Sequence, residues 1–113
     1  MHELAITQNM LDVVLEQAKE AGAKEVGKIN LVIGEMTGVV KECVQFYFGF
    51  LSQGTLAEGA ALAFTVVATK ARCRVCDKLF ELKEFDWACP YCGGREIEIV
   101  AGKELFVERI EVE

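Results

Sequence analysis

Histidine, serine, tryptophan and proline are almost missing from this chain: His2, Ser52, Trp87 and Pro90 are the only ones in 113 residues. That scarcity removes whole classes of chemistry. A nucleophilic serine or cysteine needs a base beside it, and the one imidazole stands at position two. No recognisable motif pairs two carboxylates for acid–base work. The run Gly34-Glu35-Met36-Thr37-Gly38 lacks the Gly-Lys-Ser/Thr that would make it a phosphate loop. The sequence therefore reads as a protein that is not an enzyme. Positive charge is scarce too. Twelve Lys and Arg against 18 Asp and Glu leave a formal charge of −6 and a pI near 4.9. Phosphate binding needs clustered cations, so nucleic acid is not an expected partner. No apolar stretch is long enough to cross a bilayer. Residues 1–10 have neither the basic start nor the apolar centre of a secretory signal. The expectation is a cytoplasmic chain without a membrane partner.

What is present in quantity is cysteine, five residues, four of them in a pattern. Cys73-Arg74-Val75-Cys76 and Cys89-Pro90-Tyr91-Cys92 are two CxxC turns separated by twelve residues. Two such turns facing each other complete a tetrahedron of thiolates around one ion, a closed zinc site with no open position for substrate. Two disulfides are the competing reading. Framework disulfides belong to secreted chains, so this reading is disfavoured. A one-iron, rubredoxin-like electron-transfer centre has the same donor set and stays open, as does a zinc-ribbon interaction module. Arg72, Arg74, Lys78 and Arg95 offset the negative charge of four thiolates on a divalent ion. The fifth cysteine, Cys43, falls on an apolar helical stripe and reads as core.

Hydrophobic residues make up 52% of the chain, enough for a real core. Ile6, Met10, Val14 and Ala18 recur every four residues, with Leu11 and Leu15 beside them, so 3–21 reads as an amphipathic helix stopped at Gly22. Residues 25–34 read as a strand. Residues 40–52 read as a second helix with a narrow polar strip. The plainer interpretation of that helix is deep burial; the sharper one is an aromatic face of Phe46, Phe48 and Phe50 that docks a partner. A second strand is expected over 61–71, a short hairpin over Leu79–Trp87 between the CxxC turns, and strands over 95–100 and 104–113. The fold class is α+β: two helices packed on a small mixed sheet, with an inserted four-cysteine zinc-ribbon module. The expected division is 1–70 plus 97–113 for the α/β unit and 71–96 for the metal module.

A single histidine near a terminus is usually solvated and mobile. Position two changes the chemistry. The His2 imidazole, the His2 amide, the Met1 amine and the Glu3 amide lie within a few bonds of one another. They can close small chelate rings, and Ni²⁺ and Cu²⁺ favour the square-planar nitrogen field that results. If a helix begins near Glu3, those amides also lack intrahelical partners.

The opening Met1-His2-Glu3-Leu4, the Gly34–Gly38 turn, Ala57-Glu58-Gly59 and the double CxxC resemble the HypA/HybF family of [NiFe] hydrogenase maturation. The likeness runs through essentially the whole chain. It implies a nickel metallochaperone that carries Ni(II) through His2, with Met1 and Glu3 beside it. It also implies structural zinc at Cys73, Cys76, Cys89 and Cys92. The implied partners are a nickel-binding GTPase and the hydrogenase large subunit, and in some bacteria urease maturation proteins. A homodimer is left open.

Overall fold

The computed structural model describes residues 2–82 and 87–113. The chain opens with helix α1, Glu3–Glu20, whose buried side is Thr7, Met10, Leu11, Val14 and Ala18. This is the expected stripe, with Thr7 added because its hydroxyl is satisfied by donating to the Glu3 carbonyl at 2.6 Å. Gly22 ends the helix. It adopts φ 66°, and Gly22 N–H and Ala23 N–H return to the Lys19 and Ala18 carbonyls, a Schellman closure that any Cβ would strain.

Strand β1, Val26–Gly34, runs up the centre of a three-stranded sheet. The 3-10 turn Glu35–Thr37 and helix α2, Lys41–Leu51, carry the chain across to strand β2, Ala61–Val67, which lies parallel to β1. A parallel neighbour requires such a crossover. On the other edge the C-terminal strand pairs antiparallel with β1, so the sheet is mixed, as expected. The two helices pack together, and their buried side chains join Ile29 and Leu31 of β1 in one core.

The rest of the chain makes a second three-stranded sheet. Strand β3, Lys70–Cys73, is its centre, flanked by β4, Leu79–Glu81, and β5, Ile97–Ala101. β6, Leu105–Val112, then returns to the first sheet. Three expectations change here. The strand expected over 61–71 breaks at Ala68–Thr69, where the chain leaves one sheet for the other. The unit expected over 97–113 divides, because Ile97–Ala101 hydrogen-bonds along β3 and only Leu105–Val112 along β1. The hairpin expected over Leu79–Trp87 contributes Leu79–Glu81, which pairs back on β3 across the first CxxC turn. Residues 83–86 lie outside the described residues.

α2 differs from the deeply buried helix of the plainer interpretation. Val44 and Phe48 are buried, whereas Phe46, Phe50 and Cys43 are exposed. Cys43 is therefore not a core residue. Among the described residues α2 packs chiefly on α1, and its outer side is exposed.

The two sheets meet at a tight waist. Gly34 N–H donates to Glu104 O at 2.6 Å and Met36 N–H to Gly102 O at 2.8 Å. A Cβ on Gly34 would collide with the Gly102 backbone, so the close approach requires glycine. Thr69, only 4% exposed, donates its hydroxyl to the Glu35 carboxylate at 3.4 Å, and its carbonyl accepts from Leu82 N–H.

Candidate metal centre

The four sulfurs of Cys73, Cys76, Cys89 and Cys92 all lie within 4.8 Å of one another. Cys73 and Cys92 approach to 3.5 Å, Cys76 and Cys89 to 3.6 Å. Four thiolates at 2.3 Å from one zinc stand about 3.8 Å apart at tetrahedral angles. The cluster thus has the size and donor set of one tetrahedral ion. Iron fits the same tetrahedron.

The backbone builds this cluster twice. Cys73 N–H donates to Lys78 O and Asp77 N–H to Cys73 O; sixteen residues on, Cys89 N–H donates to Gly94 O and Gly93 N–H to Cys89 O. Each turn closes on a residue with positive φ directly after its second cysteine, Asp77 at 59° and Gly93 at 74°. Asp77 is the only non-glycine residue with positive φ among the described residues. β3 delivers the first turn and β5 leaves the second. Arg74 N–H donates to Glu96 O at 2.8 Å, joining the two. Gly94 leaves room for the second turn: a Cβ there would stand 3.3 Å from Cys92 Sγ and 3.5 Å from Val75. Sequence spacing identifies the four cysteines but not Asp77, Gly93 and Gly94; the residue that follows each CxxC is the signal that finds them.

Amide donors aim at the sulfurs. Cys76 N–H lies 3.5 Å from Cys73 Sγ and Gly94 N–H 3.4 Å from Cys92 Sγ. The Cys76 N–H, the largest influence on Cys73, overcomes burial and holds that thiol near 6. The Gly94 N–H favours the Cys92 thiolate, but Cys73, burial, Cys89 and Cys76 outweigh it and push the thiol up to about 12. At Cys76 the Lys78 N–H favours the thiolate, while burial and the thiols of Cys89 and Cys73 leave it raised. Without an ion, Cys73 ionises first while Cys76 and Cys92 hold their protons. A divalent ion reverses that order by binding all four as thiolates. Three of the four cations expected around the cluster have partners of their own beside it. Arg72 faces Asp77 at 3.8 Å, Arg74 faces Glu98 at 4.0 Å, and Lys78 lies over the Tyr91 ring at 4.8 Å.

His2 and Glu3 lie elsewhere, at the start of α1. His2 is the exposed N-cap of α1; its carbonyl accepts from Ile6 N–H, and its side chain makes no cap. The Glu3 amide is in the first turn, where no intrahelical acceptor exists. The Glu3 carboxylate is committed in another direction: its Oε2 accepts from Val40 N–H at 3.0 Å, and that bond holds the carboxyl below its ordinary value of 4.5. Met1 lies outside the described residues. Among the described residues the structure therefore joins the four cysteines to each other and leaves His2 and Glu3 apart from them.

Residues 1–112 match the family described as "Hydrogenase/urease nickel incorporation, metallochaperone, hypA". The chain is 45% identical over 114 residues to a hydrogenase maturation factor HypA of Caldanaerobacter subterraneus subsp. tengcongensis, with all of both chains covered. It is 46% identical over 113 residues to one of Dehalococcoides mccartyi strain CBDB1, covering all of this chain and 95% of that one. Two solution structures share the fold. One, described as HypA protein, has a TM-score of 0.75 at 21% identity, covering 100% of this chain and 97% of that one. The other, the Ni metallochaperone HypA from Helicobacter pylori, has a TM-score of 0.69 at 22% identity, covering 99% and 97%.

Proposed function

The chain belongs to the HypA family of hydrogenase/urease nickel-incorporation metallochaperones, and from that membership we propose that it binds Ni(II) at its own N-terminus and hands it on. In this reading His2 supplies the imidazole, and the amides of His2 and Glu3 and the amine of Met1 complete a planar nitrogen set. The observation that carries it is local. His2 is exposed, its side chain is unused as a cap, and the Glu3 amide is among the orphan donors of a helix start. The Glu3 carboxylate, held by Val40 N–H, serves as a strut and not as a ligand.

Ligand exchange, not catalysis, is the proposed chemistry. Nickel is the cargo, held in a solvent-reachable site and released to a softer, thiolate-rich site in the client. The client is the hydrogenase large subunit, or urease through its maturation proteins, and a nickel-binding GTPase is the helper. Zinc in the four-cysteine cluster stays behind and holds the second unit folded. Geometry separates the two metals, planar nitrogen for one and tetrahedral sulfur for the other. The proposed compartment is the cytoplasm, where thiols stay reduced; among the described residues no helix is long and apolar enough to cross a membrane.

Calorimetric nickel titration of His2→Ala tests the carrier reading. The nitrogen-rich site should vanish while zinc content and fold persist, because His2 is exposed and its side chain caps nothing. Unchanged nickel affinity would overturn it. Metal analysis separates zinc from iron: a zinc centre is colourless and an iron–thiolate centre red.

A further inference from the structure

β2 forms one edge of the first sheet, whose order is β2-β1-β6. It runs seven residues, Ala61–Val67, in unbroken register with β1, and holds no charged residue, proline or glycine. A flat apolar edge is a template for another chain, and native sheets blunt theirs. The other edges of this molecule are blunted. β6 carries two register shifts against β1 and the charges of Glu108, Arg109 and Glu111. β4 has only three residues. β5 pairs with a register shift and carries Glu98.

The register decides which backbone groups of β2 face outward. Gly34 N–H bonds Glu104 O, on the β6 side, and successive residues of a central strand alternate between its two neighbours. Leu31 and Ile33 therefore bond β2, through the residues that flank their partners Phe64 and Val66. Ala63, Thr65 and Val67 turn their backbone groups to β1. The N–H and C=O groups of Leu62, Phe64 and Val66 point away from the sheet. Among the described residues, no other element hydrogen-bonds to them.

We propose that an extended, Lys- or Arg-bearing segment of a partner protein adds to this edge as a fourth strand. A row of alternating donors and acceptors fits extended backbone. Charge sets the sign. Positions 1–69 and 102–113 hold six Lys and Arg against twelve Asp and Glu, so the whole charge of −6 lies on this unit and 70–101 is neutral. A second copy docked edge to edge would bring two such units together, whereas a basic segment is drawn in. One end of the edge supplies a seat. Val66, 54% exposed, borders a hollow of about 330 Å³ lined by Val39, Val40, Lys41, Glu35 and Glu42. Its apolar side takes the stem of a Lys or Arg, and its two carboxylates take the charge. The hollow also borders Val40, whose N–H holds Glu3, so the added segment arrives beside the start of α1. The proposal rests on the fold and not on the nickel reading.

Fluorescence anisotropy of the full chain tests it, with a labelled peptide of about nine residues that alternates valine with lysine and threonine and spans β2. The native chain should bind it, less tightly as salt is raised, and should fail to bind the same peptide with glutamate for lysine. Val66→Pro removes one outward N–H, which an edge strand tolerates. Its circular dichroism should match the native chain, and its affinity should fall by about tenfold, the worth of one hydrogen bond. Val66→Thr keeps the N–H and should bind as the native chain does. In the native chain the peptide should slow hydrogen exchange at the Leu62, Phe64 and Val66 amides and not along β6. No binding, binding indifferent to the peptide's charge, or protection that falls outside β2 would overturn the proposal. So would a self-association of the native chain that Val66→Pro removes, which would give the edge to a second copy.

Discussion

Asp77 occupies a backbone position that favours glycine, and Gly93 occupies its counterpart in the other turn. Left-handed backbone costs an L-residue about 1–2 kcal/mol, least for Asp and Asn. The Asp77 side chain contributes little in return, since its ion pair with Arg72 is exposed and long. Asp77→Gly should therefore keep or improve the module. Asp77→Val should cost about 1–2 kcal/mol, roughly a tenfold loss of zinc affinity, because metal binding and folding are one process in so small a unit. A chelator competition assay on both variants measures this. The cysteines were legible because the CxxC spacing is itself the chemistry. Asp77 was not legible as a turn closer, because its role lies in φ, which no residue name states. Cys43 departs from the core position its stripe suggests for a related reason: which arc of that stripe is covered depends on the neighbours.

At the scale of elements, α1 was readable almost to the residue, because one polar arc leaves one possible buried side and Gly22 supplies the stop. α2 was not, because apolar residues on nearly every side cannot say which arc meets α1. The 61–71 segment failed likewise. Its apolar character continues through Ala68 and Ala71, yet β2 and β3 belong to different sheets. The cysteine module carries a prediction of its own. Its small core of Ala71, Cys73, Phe80, Leu82 and Cys89 includes two of the proposed ligands. Removing the metal, or replacing Cys73 and Cys92 together by Ala, should unfold 70–101 while α1, α2 and the first sheet persist; amide resonances of the two units report this separately. The pH dependence follows from the thiols. Near neutrality Cys73 is ionised at about 6, whereas Cys76 and Cys92 are raised and hold their protons. A zinc ion bound by all four thiolates would have to displace at least those two protons, so affinity should fall by at least about two powers of ten per pH unit on acidification. Below about 6 the Cys73 proton joins them and the fall should steepen. Competition with a chromophoric chelator between pH 8 and 5 would show the break.

The whole molecule is elongated, 55 × 24 × 17 Å, with a radius of gyration of 17.6 Å, against about 13 Å for a compact chain of this length. The excess comes from two cores placed end to end and joined at the Gly34–Gly102 waist. Gly34→Ala should force those backbones apart and break the bonds to Gly102 and Glu104. Each cluster should still fold, but their relative orientation should loosen. Small-angle scattering should show a broadened distance distribution, with zinc content unchanged; an unaltered profile would mean the waist does not set the arrangement. The sequence by itself determined the four clustered thiols, the first helix, the fold class and the family. Those depend on spacing, periodicity and motif, which are properties of neighbouring residues. Only the tertiary structure decided what depends on distant segments meeting. It gave β5 to the cysteine sheet, bared Phe46, Phe50 and Cys43, turned the Glu3 carboxylate to Val40, and pressed Gly34 against Gly102. No periodicity encodes those contacts, because each brings together residues far apart in the chain.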